Sequence, residues 1–387
     1  MRFPPDRELW ITDHGRTEEG AREDGEILAR FAEEGARFRE TMLGFPVNLD
    51  FDHRDMAAFL GFHANNVGSS RDESQYSLNT KALERAVIAF LADLAGDASG
   101  DAFGYVSSGG TESNTYGVFL GRERHPDAVL YASAEAHYSI PKIARLLRMD
   151  YAEVGVLPDA TMDLAHLQDR FREHAGQAAV VVATVGTTGQ GAVDDLLGIQ
   201  EALRCAGVER RHLHVDAAFG GPLAALGARP RPWGFADGAD SIAVSGHKMI
   251  GCPVPCGIVL ARADQVTGIR EPDVAVGADD DTLTGSRDAL APALLWRELR
   301  RLGRSGLTAR VRRCVRLAEY AADRLETYGH NPSHYPGSNT VVFDAPSQAV
   351  CDRWTLLYDG DRAHLNTMPH VTREHIDALC RDLGQRP

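Results

Sequence analysis

Lys248 is the residue whose surroundings most strongly suggest chemistry. It follows Ser245, Gly246 and His247, which come directly after an apolar, strand-like segment at residues 241–244. A lysine at the carboxyl end of a strand lies where open α/β sheets bind their ligands. The segment after it is almost uncharged, and burial lowers the pKa of an amine so that it can form an imine with an aldehyde cofactor. The alternative is a solvated surface lysine, and this motif alone leaves both interpretations open.

Asp216 ends a second strand-like segment, residues 212–215, and is followed by Ala217 and Ala218. A carboxylate in this position can pair with the protonated pyridine nitrogen of pyridoxal phosphate and keep the ring cationic. The small side chain of Ala218 would let that ring lie flat against the chain. The alternative is an aspartate that only caps the following helix.

A turn rich in glycine and serine precedes a predicted helix over residues 112–124. Backbone N–H groups at the start of a helix bind phosphate groups well. The turn has neither P-loop spacing nor the Gly-x-Gly-x-x-Gly dinucleotide pattern, which favours a different phosphate-bearing cofactor. The residues of the turn are Ser107, Ser108, Gly109, Gly110 and Thr111.

His137 follows a short apolar segment, residues 128–132. Its position after a predicted strand places it at the same sheet edge as Lys248 and Asp216, where its ring can stack on a bound cofactor. The alternative is a histidine with a purely structural role. No group of cysteine and histidine residues has zinc-site spacing, so the sequence predicts no metal.

Alternating strand-like and helical patterns position these residues. The β-branched run at residues 178–184 is typical of a strand buried on both faces. Strands that alternate with helices indicate an α/β fold with a mostly parallel sheet covered on both sides. Further strands are predicted at 128–132, 212–215, 241–244, 255–261 and 340–343, and helices at 81–95, 112–124, 141–149, 196–206, 289–302, 308–328, 347–357 and 372–383.

Three regions are predicted along the chain. Residues 1–50 form an N-terminal helical arm, with helical spacing of apolar residues over 18–42. Residues 51–287 form a large cofactor-binding domain, and residues 288–387 form a small C-terminal α+β domain. The polar stretch at 270–287 is predicted to be a loop, and loops of this length are often functional.

Composition excludes several classes of partner. The 387-residue chain carries a formal net charge of −14, which argues against nucleic acid and anionic membranes as partners. No apolar run reaches the roughly 20 residues of a membrane span, and no signal-peptide pattern opens the sequence. With six cysteines but no Cys-x-x-Cys pair, we expect free, buried thiols and a cytoplasmic location.

These motifs, together and in this order, resemble the pyridoxal-phosphate-dependent group II amino-acid decarboxylases. Within that family the sequence is most similar to the branch of histidine decarboxylases and plant serine decarboxylases. The motifs are Ser-Gly-Gly-Thr-Glu-Ser-Asn at 108–114, His137, Val-Asp-Ala-Ala at 215–218 and Ser-Gly-His-Lys at 245–248. Further similar blocks extend the resemblance from about residue 40 to the end, at 44–48, 65–68, 186–188, 191–195, 285–287 and 364–372.

The resemblance implies pyridoxal phosphate fold type I, the aspartate-aminotransferase type, in a homodimer with active sites at the subunit interface. It makes Lys248 the lysine that binds the cofactor as an imine and Asp216 the partner of the pyridine nitrogen. Ala218 and His137 would lie on opposite faces of the ring, and Thr188 near its hydroxyl. Lys248, Asp216 and His137 are thereby the predicted catalytic residues. The remaining predicted cofactor-binding residues, mostly around the phosphate, are Ser108, Gly109, Gly110, Thr111, Ser245 and His247.

The implied activity is decarboxylation of an L-amino acid to its amine and CO2. The branch favours histidine as substrate, and serine or another small polar amino acid is the alternative. Candidate substrate-binding residues are Asn48, His63 and Asn65. A third hypothesis, a relative that binds the cofactor or a partner protein without turnover, is disfavoured because Lys248 and the other catalytic positions are intact.

Two positions depart from the family pattern. Many relatives carry a tyrosine in the loop before Gly-Ser-Arg, but residues 273–279 contain none, and Ser69 replaces an aspartate. The proton donor is therefore open between His137 and a residue of the 270–287 loop from either subunit. The missing tyrosine also permits a different outcome after loss of CO2, either reaction with oxygen to give an aldehyde or formation of a carbon–carbon bond.

Overall fold

The structure is a computed structural model that describes residues 9, 11 and 17–384, apart from the side chain of residue 19. The α-helices are α1 (Glu18–Thr41), α2 (Lys81–Leu94), α3 (Gly110–Arg124), α4 (Ser139–Leu147), α5 (Leu164–Glu173), α6 (Leu196–Cys205), α7 (Gly221–Leu226), α8 (Ala263–Val266), α9 (Leu290–Thr327), α10 (Gln348–Trp354) and α11 (Arg373–Gly384). The strands are β1 (Phe103–Ser107), β2 (Val129–Ser133), β3 (Tyr151–Val154), β4 (Ala179–Thr184), β5 (Arg211–Asp216), β6 (Ser241–Ser245), β7 (Gly257–Ala261), β8 (Glu271–Asp273), β9 (Ala278–Asp280), β10 (Thr340–Asp344), β11 (Leu357–Asp359) and β12 (Arg362–Asn366).

Seven strands form the central sheet in the order β1-β7-β6-β5-β4-β2-β3. Neighbours from β6 to β3 are parallel, whereas β7 is antiparallel to both β6 and β1. The strand predicted at 255–261 begins at Gly257, two residues later than expected. Pro255 has no N–H group to donate to a neighbouring strand, which accounts for the later start.

Helices cover the sheet on both faces, as alternate residues of β4 show. Val180 and Val182 pack in one apolar cluster with Ile140 of α4. Val181 lies in another cluster with Ile199 of α6. Because successive strand side chains point to opposite faces, both faces of β4 are buried, and its continuous apolar run has the expected cause.

The C-terminal part of the chain forms a second sheet, ordered β10-β12-β11 and antiparallel throughout. The two helices predicted at 289–302 and 308–328 are confirmed, and they meet at a kink within α9 at Gly303, where φ is 59°. Glycine adopts this left-handed conformation without a steric penalty, so the chain continues in helical form on both sides. The domain boundaries at 50/51 and 287/288 remain a prediction.

The predicted arm contains α1, whose first turn is capped by Thr17, because its hydroxyl accepts a hydrogen bond from the Gly20 N–H at 3.1 Å. Residues 1–8, 10 and 12–16 of that arm lie outside the described residues. The predicted loop at 270–287 contains a short antiparallel pair of strands, β8 and β9. All six cysteines are unpaired; five are buried as expected, but Cys205 is exposed.

Candidate active site

The carboxyl ends of β4, β5 and β6 meet at one edge of the central sheet, beside the turn that precedes α3. A cavity of about 350 Å³ lies there. It brings together every residue that the sequence analysis assigned to the cofactor. Its lining comprises Ser108, Gly109, Gly110, Thr111, Glu112, Asn114, His137, Tyr138, Thr184, Gly186, Thr188, Asp216, Ala218, Phe219, Ser245, His247 and Lys248.

Lys248 lies in a π-helical turn, Gly246–Ile250, directly after β6. Its backbone leaves the helical conformation, with φ −86° and ψ −113°. Its amine nitrogen is 5.7 Å from the centre of the Phe219 ring. Burial lowers the pKa of Lys248, and the nearby charge of Asp216 acts in the opposite direction. The amine therefore reaches its neutral, nucleophilic form at a lower pH than an ordinary lysine.

Asp216 is the last residue of β5 and is 5% exposed. One carboxylate oxygen accepts a hydrogen bond from the Asn114 side-chain amide at 2.8 Å, and the other accepts from the Ala218 N–H at 3.1 Å. Both oxygens thus act as acceptors, which is the pattern of an ionised carboxylate. A buried negative charge facing this cavity suits a cationic ring nitrogen.

The turn before α3 is held by its own side chains. Ser108 donates from both its backbone N–H and its hydroxyl to Glu112, at 2.8 and 2.6 Å. A Cβ atom on Gly110 would lie 3.0 Å from the Ser245 hydroxyl oxygen, so glycine permits the close approach of that hydroxyl. The first residues of α3 therefore face the cavity together with a hydroxyl group, an arrangement that binds phosphate.

His247 lines the same end of the cavity. Burial lowers the pKa of its ring, so it is neutral at pH 7. Its Nδ1 lies 2.8 Å from the Cys256 carbonyl oxygen, which can only accept, and 3.1 Å from the Cys256 N–H. Both contacts hold the ring against the backbone of Cys256.

His137 follows β2 and lies in contact with the turn that begins α4. Its Nδ1 is 2.7 Å from the Ser139 hydroxyl oxygen and accepts from the Ser139 N–H at 3.3 Å. Burial lowers the pKa of His137, with Asp216 acting in the opposite direction. The neutral ring therefore carries its proton on Nε2.

The structure adds lining residues that the sequence analysis did not identify. Asn114 lies one helical turn into α3, and Thr184 ends β4; its hydroxyl oxygen is buried without a hydrogen-bond partner among the described residues. Phe219 lies beside the Lys248 amine. Thr184 closes the β-branched run at the same sheet edge as the other candidates, so its position on that strand was an available signal.

The three candidate substrate-binding residues do not line this cavity. Asn48 is buried behind the Lys248 turn, where its amide donates to the Met249 carbonyl at 3.2 Å. His63 is exposed, with Nδ1 2.8 Å from the hydroxyl oxygen of Tyr76. Asn65 is held outside the cavity as well, because its side-chain amide donates to the Ser286 hydroxyl at 3.1 Å and accepts from the N–H of residue 287 at 3.0 Å.

A larger cavity, of about 530 Å³, shares Gly186 and Phe219 with the first and extends toward the small sheet. Of the two guanidinium groups that line it, that of Arg231 donates to the Tyr335 hydroxyl at 2.7 Å and to a backbone carbonyl at 2.8 Å. The smaller cavity, in contrast, contains the predicted cofactor-binding lysine and aspartate. Over residues 9, 11 and 17–384, no cluster of metal-ligating side chains is found, and no helix has the length and apolarity to cross a bilayer.

Comparison with known proteins identifies the family. Residues 56–333 match the family described as "Pyridoxal-dependent decarboxylase conserved domain". The chain belongs to this family. The resemblance inferred from the motifs is confirmed, and with it the use of pyridoxal phosphate by this decarboxylase.

Similar curated proteins extend over most of the decarboxylase. The histidine decarboxylase of Pseudomonas entomophila (strain L48) is 39% identical over 344 residues, which cover 88% of this chain and 85% of that protein. The histidine decarboxylase of Morganella morganii is also 39% identical, covering 88% of this chain and 91% of its own. The decarboxylase is thus a carboxy-lyase that acts on an amino acid, in the histidine decarboxylase branch.

Solved structures share its fold. The L-methionine decarboxylase from Streptomyces sp. 590, in its internal aldimine form, superimposes with a TM-score of 0.90 at 22% identity, covering 100% of this chain and 98% of that one. A sphingosine-1-phosphate lyase from Burkholderia pseudomallei gives a TM-score of 0.79 at 20% identity, covering 97% and 91%. The predicted fold type I, with a mostly parallel sheet and a small C-terminal sheet, is confirmed.

Proposed function

We propose that this decarboxylase acts on L-histidine and releases histamine and CO2. The observation that supports the substrate is the agreement among relatives: six curated proteins from Pseudomonas, Morganella, Vibrio and Mesorhizobium, each 37–39% identical over 88–89% of this chain, are all histidine decarboxylases. Pyridoxal phosphate, when bound, supplies an aldehyde that condenses with amines and a ring that takes up the electron pair left by CO2.

Lys248 and Asp216 act on the two ends of the cofactor ring. The amine of Lys248, whose pKa burial lowers, would hold the cofactor to the chain. The Asp216 carboxylate, its oxygens fixed by Asn114 and Ala218, would pair with the ring nitrogen and keep a proton there. Ala218 would lie against the ring.

The phosphate is held at the start of α3. Ser108, Gly109, Gly110 and Thr111 line the cavity at this helix end, where backbone N–H groups that are not already bonded favour an anion. The Ser245 hydroxyl would add a donor, and His247 lies beside it. Thr188 would lie near the ring hydroxyl.

His137 would stack on the cofactor ring, and it is the proposed proton donor to the substrate Cα. Its Nε2 carries the proton in the neutral ring, because the Ser139 N–H points at Nδ1. This assignment does not need the tyrosine that residues 273–279 lack. A residue of the 270–287 loop is the second candidate for this step.

The decarboxylase works as a homodimer whose partner subunit completes each active site. The family resemblance implies such a dimer, and the proposal is supported by the position of Asn48, His63 and Asn65, which are predicted to bind the substrate but do not line their own chain's cavity. We also propose a cytoplasmic location, because all six cysteines are unpaired and five are buried, as in proteins of a reducing compartment.

Release of CO2 from each of the common L-amino acids tests the substrate. Histidine should be turned over fastest, with one histamine formed for each CO2, and the Lys248→Ala variant serves as the blank. Preference for serine or another amino acid would contradict the proposal. Aldehyde and ammonia in place of the amine, with oxygen consumed, would identify the oxidative outcome instead.

A further inference from the structure

A row of buried polar side chains runs from Asp216 into the protein beneath α3. The Asn114 amide donates to Asp216 at 2.8 Å, and its carbonyl oxygen is 3.0 Å from Nε2 of His214. The Ser241 hydroxyl oxygen is 2.8 Å from Nδ1 of His214 and 2.8 Å from Nε2 of His212. The four residues beyond Asp216 are at most 1% exposed, so their polar atoms bond to one another and not to bulk water.

The direction of each hydrogen bond in this row follows from the carboxylate. Asn114 turns its NH2 group to Asp216, so its carbonyl oxygen must accept from Nε2–H of His214. Burial lowers the pKa of His214 to about 3, so its ring is neutral and Nδ1 must accept from the Ser241 hydroxyl. That hydroxyl has one proton, which it gives to His214. Beyond it, Nε2 of His212 lies 2.8 Å from the same hydroxyl oxygen, and Nδ1 of His212 lies 3.2 Å from the acceptor oxygen Oε1 of Gln265. From Ser241 to Asn114, each donor points toward Asp216.

We propose that Asn114 and His214 are positioning residues that hold Asp216 as an oriented carboxylate for the cofactor ring nitrogen. Hydrogen bonds aligned in one direction polarise one another, so the row favours negative charge at its end. A donor pointed at a carboxylate oxygen also fixes the rotation of the carboxylate group. The inference rests on the proposed role of Asp216 and extends it to two residues that do not touch the reacting atoms.

Helix α3 is built around this row, which gives the inference an independent basis. A Cβ atom on Gly117 would lie 2.1 Å from Nδ1 of His214. A Cβ atom on Gly121, one helical turn later, would lie 3.0 Å from Cβ of His212. Glycine costs about 1 kcal/mol relative to alanine inside a helix. Two glycines at this spacing therefore leave space for the two imidazole rings.

The first experiment measures the ring protonation of His214 in the protein without cofactor. Nitrogen chemical shifts of ¹⁵N-labelled histidine rings distinguish Nε2–H from Nδ1–H, and the His214→Gln variant assigns the signal. We expect the neutral Nε2–H form from pH 6 to 8. An Nδ1–H form, or a doubly protonated ring at pH 7, would overturn the inference whatever the role of Asp216.

The second experiment measures the dissociation constant of pyridoxal phosphate by titrating the apoprotein. Asn114→Leu should weaken binding about tenfold, the effect of losing one hydrogen bond to a charged group. His214→Leu should weaken binding as well, whereas His214→Gln keeps a donor for Asn114 and should retain most of the affinity. Tyr116→Phe loses another buried hydrogen bond of α3, to the Asp281 carbonyl, and should bind as the wild type does.

A double-mutant comparison separates the inference from the proposal on which it rests. If Asp216→Asn leaves cofactor affinity unchanged, the proposed role of Asp216 fails. If Asp216→Asn weakens binding but Asn114→Leu does not, only the present inference fails. If both single variants weaken binding, adding Asn114→Leu to Asp216→Asn should change the dissociation constant of pyridoxal phosphate less than twofold. The reason is that the oriented carboxylate is already absent from the Asp216→Asn protein. In the single variant kcat should fall while KM for histidine stays within about twofold, as expected for a group that acts on the reaction and not on substrate binding.

Discussion

The groups around Lys248 and the groups predicted to bind substrate lie in differently built parts of the molecule. Those around Lys248 are buried at strand ends and are fixed by hydrogen bonds such as that from Asn114 to Asp216. His63 and Asn65 lie in a segment outside the cavity, here called the rim, and bond to Tyr76 and Ser286. One chain thus brings together the residues predicted for the cofactor but not those predicted for the substrate. The comparison shows why cofactor use is easier to establish from a single chain than the substrate is.

The largest effect on turnover is expected from Lys248, the residue proposed to bind the cofactor. Lys248→Ala should lower turnover by about a thousandfold or more, because it removes the nucleophile that attaches the cofactor. Borohydride reduction of the wild type should link the cofactor to the peptide containing Lys248, and the variant should show no link there. Lys142→Ala is the matched control, since that amine lies 4.6 Å from the centre of the Tyr138 ring at the same cavity. Wild-type turnover with Lys248→Ala would contradict the assignment.

A mixed dimer tests whether His63, in the rim, contributes to the active site of the partner subunit. Lys248→Ala and His63→Ala proteins are unfolded and refolded together, then assayed at a histidine concentration at which neither turns over. If the rim acts across the interface, a one-to-one mixture should recover about a quarter of wild-type sites, because half of the dimers contain one intact site. No recovery, with dimer exchange shown by differently tagged chains, would place His63 in its own chain's site or outside any site.

A substitution in α3, at the helix face that packs against His214, should lower the free energy of unfolding. Gly117→Ala puts a Cβ atom 2.1 Å from the His214 ring, and overpacking of this kind destabilises by about 1–3 kcal/mol. Gly35→Ala in α1 meets no atom within 4 Å and should instead stabilise by up to about 1 kcal/mol. Urea unfolding of the two variants measures the difference, and equal midpoints would show that the space beneath α3 is not needed.

An effect of similar size is expected at Asp281, directly after β9, and it depends on pH. Asp281 is 3% exposed, its Oδ2 accepts from the Ser69 hydroxyl at 3.0 Å, and burial raises its pKa from 3.8 to about 6. The folded chain therefore binds this proton more tightly than the unfolded chain, so stability falls as pH rises from 3.8 to about 6. Asp281→Asn removes that penalty and should stabilise by about 1–3 kcal/mol at pH 8.

The control for this prediction is the same measurement at pH 4, where the carboxyl is largely protonated when folded and the gain should vanish. Asp279→Asn removes an exposed ion pair with Arg270 and should change stability by less than about 1 kcal/mol at either pH. A gain from Asp281→Asn that is independent of pH would contradict the raised pKa.

Much of the fold could be predicted because its signals are local. The buried run of β4 and the helical spacing of α2 each follow from a single periodicity. The direction of β7 could not, since its pairing with β1 joins segments about 150 residues apart and depends on the completed sheet. The break of α9 at Gly303 could be predicted as well, because glycine commonly ends a helix.

The candidate site also divides into residues with a local sequence signal and residues whose position depends on tertiary packing. Lys248 and Asp216 were predictable because each ends a strand, and strand ends share one edge of a parallel sheet. Asn114 was not identified, because its function depends on which side chain lies opposite it across the sheet–helix contact. Asn48, His63 and Asn65 are of residue types that do not indicate a particular substrate. Their position relative to the cavity depends on tertiary packing, which no local sequence pattern encodes.

The connectivity of the large sheet also bears on how this protein family can diversify. All of the cavity lining lies between residues 108 and 248, within the chain that builds the central sheet, whereas the three residues predicted to bind the substrate precede it. On the proposed roles, mutations that change which amino acid is accepted would accumulate in the preceding segment without disturbing the cofactor site. In evolutionary terms, the proposal makes the chemistry and the choice of substrate separately heritable parts of one gene.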